Sequence, residues 1–304
     1  MKKPIKTFSL NEKFIPHHLI KELTVSKTSD DLSKKILKDG YIFIRNIYKK
    51  DDIENARDKV LKHLHTVGEV KDPYNQGIFS GKSKRNELYP TNFELGKFWK
   101  EISESKQLRK VINGKEITKI FEQIFNQKVI HFSFAWLRAV IKGKASPLHI
   151  DHPYMSRGSD KLLTCWTPLS KIKQNEGPLF ILENSHKWRD IKLNFLNHDI
   201  DINSDKPGHI VENTLDLVLR KKSYFLTSNF EPGDCLIFGM FTVHGSFDNN
   251  TTTGKIRLSC DTRFQPYSDP MDPRFSGHNP PAHKNLGYGC LSSSAPLTDN
   301  IKNK

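Results

Sequence analysis

Three things that this 304-residue sequence lacks exclude whole classes of protein. Its four cysteines, Cys165, Cys235, Cys260 and Cys290, are too far apart for a C-x-x-C metal site and too few for a disulfide framework, so we expect reduced core thiols. No apolar run approaches the roughly 18 residues of a membrane helix. The first residues, MKKPIKTFSLNEKF, hold no apolar core of a secretory signal. We therefore expect a cytoplasmic protein that does not cross a membrane.

The charge is strongly unbalanced, and its distribution matters more than its size. Lys and Arg number 48 against 34 Asp and Glu, which gives a formal net charge of +14. The cations are scattered along the chain, whereas nucleic-acid binding usually concentrates them on one face or stripe. A lysine-rich solvated surface is therefore the favoured interpretation, and an anionic substrate is compatible with it. A nucleic-acid substrate is the less favoured alternative, which strongly salt-dependent binding to oligonucleotides would reveal.

The pattern of apolar residues changes near residue 128, and we expect one domain over residues 1–304. In residues 1–127 apolar side chains recur at steps of three and four, as in IENARDKVLKHL, which predicts amphipathic helices as support. Residues 128–265 hold short β-rich runs such as LLTCWTPL and DCLIFGMFTVH between turn signals, which is typical of a barrel or a sandwich. Residues 266–304 hold six prolines and no clear periodicity, so we expect an irregular extension.

One motif places two metal-ligand side chains at a spacing that suits a strand. His149 and Asp151 are separated by one residue, so on an extended strand an imidazole and a carboxylate project from the same face. His244 ends the apolar run 235–243, and a closed sheet would bring it alongside. Two histidines and one carboxylate form the facial triad of non-haem Fe(II) oxygenases, which leaves coordination positions open. The H-x-D pattern alone is weak, because a single histidine is more often a structural residue than a ligand.

The next strand carries a candidate anion site. Arg257 and Ser259 are two residues apart, so the guanidinium and the hydroxyl point to the same side, where an arginine fork can bind a carboxylate bidentately. A cation inside an otherwise apolar strand needs an anionic partner if it is buried. Trp166, in LLTCWTPL, offers a rigid apolar wall to the same cavity. Lys255 shares the face of Arg257 and is the competing anchor.

These residues stand in a series of motifs that resembles the phytanoyl-CoA dioxygenase family. The motifs follow one another from Asp39 to Gln265 in the order DGYIFIR, HID, YMSRG, TCWTPL, NEGPLFILENSH, PGD, HGS and RLSCDTRFQ. Such an ordered series is far more specific than any one of its members. The YMSRG and DTRFQP segments are more similar to the bacterial branch that tailors antibiotics than to the peroxisomal lipid enzymes.

The resemblance implies a mainly β fold: a double-stranded β-helix (jelly-roll or cupin-like) core with the N-terminal helices packed outside. It implies Fe(II) held by His149, Asp151 and His244, with O₂ and 2-oxoglutarate as co-substrates. It also implies that Arg257 and Ser259 bind the far carboxylate of 2-oxoglutarate. The implied reaction decarboxylates 2-oxoglutarate oxidatively to succinate and CO₂ and hydroxylates a C–H bond of a small molecule. Asp151 favours hydroxylation over halogenation, because related halogenases carry a small residue in its place.

The residues that select the substrate are the least determined by the sequence. Tyr154, Met155 and Arg157 follow the iron motif directly, and we expect them to line the entrance. We expect Arg138 and Arg263 to face the cavity and to favour an anionic or polyhydroxylated molecule. The alternative for each of these residues is a surface or structural role. A catalytically silent barrel that binds a small ligand also remains open, and anaerobic titration with Fe(II) and 2-oxoglutarate would distinguish it from an oxygenase.

Overall fold

The computed structural model describes residues 8–143, 146–203 and 205–299. Within these ranges the helices are α1 Leu32–Asp39, α2 Lys50–Thr66, α3 Arg85–Leu88, α4 Asn92–Ser103, α5 Lys106–Ile112, α6 Lys115–Phe125, α7 Arg189–Phe195 and α8 Thr214–Arg220. The strands are β1 Ser9–Leu10, β2 Lys13–Phe14, β3 Ile20–Glu22, β4 Tyr41–Ile44, β5 Val129–His131, β6 Trp136–Val140, β7 Leu163–Pro168, β8 Leu179–Leu182, β9 Phe225–Thr227, β10 Cys235–Gly239, β11 His244–Ser246 and β12 Arg257–Pro266. In this described part of the chain, no helix combines the length and the apolar character needed to cross a membrane.

Two sheets face each other and form the core that the sequence predicts. The larger sheet has the order β4-β10-β7-β12-β5, with β6 also paired to β12, and its pairs are antiparallel. The smaller sheet has the order β11-β8-β9-β3, in which β3 runs parallel to β9. Apolar side chains meet between the sheets, among them Phe43, Trp166 and Leu236 from the larger and Ile181 and Leu226 from the smaller. The predicted jelly-roll with helical support is confirmed.

The outer face of the larger sheet packs against the N-terminal helices because its strands are apolar on that side too. In β4, Phe43 points between the sheets while Ile42 and Ile44 pack against the helical layer. In β12, Leu258 and Cys260 point outward into the same layer. The inward positions of β12 are polar instead of apolar. This alternation brings charged side chains into the interior of the barrel.

The segment after β12 is irregular and forms hydrogen bonds with the helical layer. Between residues 267 and 299 the described chain forms short 3₁₀ turns and bends. Arg85 is fully buried and donates from Nη1 to the carbonyls of residues 293–295 at 2.8 to 2.9 Å. Its Nη2 pairs with the buried carboxylate of Glu69. A buried guanidinium requires such compensation, so the C-terminal segment is a fixed part of the fold.

Candidate metal centre

Two histidines that lie far apart in the sequence are direct backbone partners in the fold. The His149 amide donates to the His244 carbonyl at 3.0 Å, and the His244 amide donates to the His149 carbonyl at 2.9 Å. The two imidazole centroids are 4.2 Å apart. His244 begins β11 after a turn that follows β10, and it does not end the preceding strand as we expected. The backbone pairing itself therefore holds the two rings side by side.

Both imidazoles are prepared to act as ligands through Nε2. Nδ1 of His149 bonds the carbonyl of Pro147 at 2.8 Å, and Nδ1 of His244 bonds the carbonyl of Thr242 at 2.9 Å. Since a carbonyl only accepts, each Nδ1 carries the proton and each Nε2 keeps its lone pair. Burial, reinforced by the neighbouring His244, lowers the pKa of His149 to about 3, and burial also lowers the pKa of His244. Both rings are consequently neutral at pH 7.

The carboxylate of Asp151 completes the group, although its backbone is not the extended strand that we expected. Asp151 has φ −75° and ψ −22° and precedes a 3₁₀ turn. Its Oδ1 lies 3.9 Å from Nε2 of His149 and 3.7 Å from Nε2 of His244. Its Oδ2 accepts hydrogen bonds from the Thr164 hydroxyl and the Arg263 guanidinium. The period-of-two explanation for this residue was wrong, but its carboxylate still converges on the histidines.

The three side chains fit a divalent iron ion. One donor atom from each lies within 4.8 Å of the others, and Asp151 and His244 are buried. Burial alone would raise the pKa of Asp151, but Arg263 and the two histidines hold it below its usual value, so the carboxylate is ionised. Two neutral imidazoles and one carboxylate form the donor set of non-haem Fe(II) oxygenases.

A narrow cavity of about 40 Å³ lies between the sheets beside these ligands. Its lining combines aromatic walls with a ring of charged and polar groups. The residues are Arg138, Ser146, His149, Thr164, Trp166, Leu179, Phe238, His244, Gly245, Ser246, Arg257, Asp261 and Arg263. Trp166 is 1% exposed and packs edge-on against Phe230, which makes it a rigid wall. The cavity thus combines aromatic walls with buried charged groups.

Arg257 is a buried cation that carries its charge into this cavity. Burial lowers its pKa to about 10, and the nearby Arg138 contributes to the decrease. Its Nη1 donates to the carbonyl of Gly177, whereas its Nε and the Ser259 hydroxyl have no hydrogen-bond partner among the described residues. Ser259 is fully buried on the same face of β12 but is not part of the cavity lining. These unsatisfied polar atoms fit a carboxylate ligand.

Lys255, the competing anchor, lies outside the cavity. Its Nζ donates to the carbonyl of Lys171 at 2.6 Å and lies 3.6 Å from a carboxylate oxygen of Glu176. It precedes β12 and pairs with Ile78, so it does not share the inward face of that strand. Its charge is already neutralised by Glu176.

The three residues after the iron motif have different surroundings. Tyr154 contacts His149 edge-on, with 5.8 Å between ring centroids, and it is the member of the group nearest to the ligands. Met155 is buried in the main core, so its expected position at the entrance was wrong. Arg157 is bound bidentately to Asp199 at 2.7 and 3.1 Å, which makes it part of a structural ion pair.

The two arginines expected at the cavity do line it, and they differ in how they are bound. Nε of Arg138 donates to Asp261 at 2.9 Å, and its side chain is 31% exposed. Arg263 is almost fully buried and lies 3.2 Å from Oδ2 of Asp151. The sequence motifs contained Asp261 and Thr164, but we assigned them no role. Asp261 lies two residues after Ser259, and Thr164 lies two residues before Trp166. The period of two along each strand was therefore the available signal.

Comparison with known proteins agrees with this geometry. The family model described as phytanoyl-CoA dioxygenase (PhyH) matches residues 36–258. The chain is 24% identical over 239 residues to the 1-deoxypentalenic acid 11-beta-hydroxylase of Streptomyces arenae, which covers 75% of this chain and 78% of that protein. It is 25% identical over 227 residues to the human peroxisomal phytanoyl-CoA dioxygenase, covering 73% of this chain and 64% of that protein.

Two solved structures from nogalamycin biosynthesis share the fold. A non-haem, α-ketoglutarate-dependent carbocyclase from nogalamycin biosynthesis superposes with a TM-score of 0.54 at 14% identity, covering 83% of this chain and 90% of that one. An epimerase from the same biosynthesis superposes with a TM-score of 0.51 at 16% identity, covering 88% and 93%. At such low identity these structures support the fold alone.

The cost of burying Arg257 leads to a prediction about stability. In Arg257→Met the buried charge is removed while most of the side-chain volume is kept. We expect the unfolding free energy of the ligand-free protein to rise by about 1 to 3 kcal/mol, because the desolvation cost of an unsatisfied buried group is removed. Urea denaturation would measure it, with Lys255→Met as the control that gives no such gain. A clear loss of stability in Arg257→Met would contradict the assignment of Arg257 as an uncompensated charge.

Proposed function

The chain belongs to the phytanoyl-CoA dioxygenase family, and we propose that its substrate is a small anionic molecule hydroxylated beside the His149, Asp151 and His244 group. It is a non-haem Fe(II)- and 2-oxoglutarate-dependent dioxygenase, which couples oxidative decarboxylation of 2-oxoglutarate to succinate with hydroxylation of a C–H bond. The observation that carries the proposal is the convergence of three ligand atoms on a cavity that is also lined by Arg257, a buried arginine with no carboxylate partner among the described residues.

In this proposal His149, Asp151 and His244 hold the iron, and the remaining side chains of the cavity control what surrounds it. The Nδ1 hydrogen bonds of both histidines fix their rings, so that binding the metal requires no change of tautomer. Trp166 and Phe238 exclude water from the larger-sheet side of the cavity. The protein contributes binding, orientation and a dry environment, and no side chain needs to act as a general base.

Arg257 is the proposed anchor for the far carboxylate of 2-oxoglutarate. Its guanidinium is buried and lines the cavity, and among the described residues no carboxylate forms a salt bridge with it. Ser259 stands two residues along the same face and would donate its unpartnered hydroxyl. The position of Lys255 favours Arg257 over it, because the Lys255 ammonium group is bound to Glu176 and to the carbonyl of Lys171.

The charge of the cavity favours an anionic substrate. Three arginines, Arg138, Arg257 and Arg263, face two aspartates, Asp151 and Asp261. The charges of Fe(II) and of doubly ionised 2-oxoglutarate cancel, so one positive charge remains for the substrate. Arg138 is the proposed contact, because Asp261 holds its Nε while the outer part of its guanidinium stays accessible. The Streptomyces arenae relative is named as a hydroxylase of an acid, 1-deoxypentalenic acid.

The triad is tested by ligand removal. We expect His149→Ala and Asp151→Ala to abolish Fe(II)-dependent succinate formation, because each removes one of three metal ligands. Anaerobic titration of the wild-type protein with Fe(II) and 2-oxoglutarate should give a weak visible charge-transfer band that both variants lack. His152→Gln is the matched control, because His152 is a buried neighbour that bonds the carbonyl of Leu196 instead of facing the ligands. Unchanged turnover in either alanine variant would refute the triad.

The choice of anchor is tested by two parallel substitutions. Arg257→Met should raise the KM for 2-oxoglutarate by about 10- to 100-fold, because charge-assisted hydrogen bonds to a carboxylate are lost. Lys255→Met should leave that KM close to the wild-type value. Initial rates of succinate formation at varied 2-oxoglutarate would show both effects. If Lys255→Met gave the larger increase, Lys255 would be the anchor.

The proposed substrate charge is tested with a panel of small carboxylic acids and their methyl esters. We expect 2-oxoglutarate turnover to be stimulated by acids and much less by the corresponding esters. Arg138→Gln should raise the KM of a stimulating acid by about 10- to 100-fold and change little for an ester. Equal stimulation by acid and ester in the wild-type enzyme would rule out an anionic requirement.

A further inference from the structure

The three proposed iron ligands are positioned by different means. His149 and His244 are fixed by mutual backbone hydrogen bonds and by the bond that each Nδ1 makes to a nearby carbonyl. Asp151 lies outside the named strands, with φ −75° and ψ −22°, at the start of a 3₁₀ turn. Sheet pairing therefore does not determine the direction of its carboxylate, and side-chain contacts must do so.

Those contacts give the two oxygens of the Asp151 carboxylate different partners. Oδ2 accepts a hydrogen bond from the Thr164 hydroxyl and lies 3.2 Å from Nη2 of Arg263. Oδ1 is the oxygen that faces both histidines, at 3.9 and 3.7 Å from their Nε2 atoms. With Oδ2 engaged by two donors, one oxygen remains for a metal ion.

The two donors are themselves fixed by the larger sheet. Thr164 on β7 and Arg263 on β12 are direct cross-strand partners. The Arg263 guanidinium lies 3.9 Å from the centroid of the Trp136 ring and is 2% exposed, so its plane is held by a buried aromatic face. Its Nη1 lies 3.9 Å from Asp261. Arg263 is therefore a rigid group, in contrast to the more exposed Arg138.

We infer that Arg263 is a positioning residue for the metal site, acting together with Thr164. The pair turns Asp151 so that Oδ1 alone is presented to the iron, and it holds the carboxylate in place within a turn that would otherwise leave it free to rotate. Arg263 is thereby withdrawn from substrate binding, which leaves Arg138 for that role. This inference rests on the proposed iron site at His149, Asp151 and His244.

Metal affinity measured without turnover tests this role. The purified metal-free protein would be titrated with Co(II) under anaerobic conditions, and binding would be followed by the visible absorption of the ion. We expect Arg263→Gln to weaken Co(II) binding by about 10- to 100-fold, as is typical when the partner of a metal ligand is lost. Arg263→Lys should recover part of the loss because it retains a cation. Thr164→Val, nearly isosteric, should weaken binding by a smaller factor.

Controls separate a positioning role from a structural one and from failure of the iron site. Arg45→Gln removes an arginine from another buried aspartate, Asp234, remote from the cavity lining, and should leave Co(II) affinity unchanged. His244→Ala should abolish tight binding. Wild-type affinity in folded Arg263→Gln and Thr164→Val would overturn the positioning role while leaving the iron site intact. Equal binding by wild type and His244→Ala would overturn the iron site itself. If Arg263→Gln does not fold, Thr164→Val decides alone.

Discussion

The strand β12 imposes the constraint on which the site depends: it is buried on both faces, apolar outward and polar inward. Its outward side chains are part of the packing between the larger sheet and the helices, so the register of the strand cannot slip without breaking the core. The same register places three charged residues in a nearly dry interior, where each charge needs compensation. Arg263 obtains it from Asp151, and Asp261 obtains it from Arg138 on β6, whereas Arg257 has no carboxylate partner in the described structure. The cavity can bind an anion because the positive charge of Arg257 is not neutralised by a carboxylate among the described residues.

Much of the site could be predicted from the sequence because its residues obey short-range rules. The period of two along β12 set the inward face of Arg257, and the combination of H-x-D with a distant histidine indicated the ligands. Elsewhere the same rules gave wrong predictions, because contacts between residues distant in the sequence determine the structure there. Asp151 departs from the strand because a 3₁₀ turn begins there. Met155 is drawn into the core, and Arg157 is engaged by Asp199, a partner that no local pattern identifies.

The C-terminal segment, which lies outside the matched family region of residues 36–258, contacts a residue close to the metal ligands. Arg274 binds Asp201 at 2.7 Å and Asp272 at 2.7 Å, and His283 bonds Asp201 at 2.9 Å. The ring of His283 also packs edge-on against Tyr154, with centroids 6.1 Å apart. A chain segment distant from the metal ligands thereby reaches the residue that touches His149.

The direct backbone pairing of His149 with His244 also has a consequence for when the metal site forms during folding. The two residues are 95 positions apart in the chain, and they become neighbours only when the segment that holds His149 pairs with β11. The complete set of ligands therefore exists only in the folded chain, so loss of native structure removes the metal site as well.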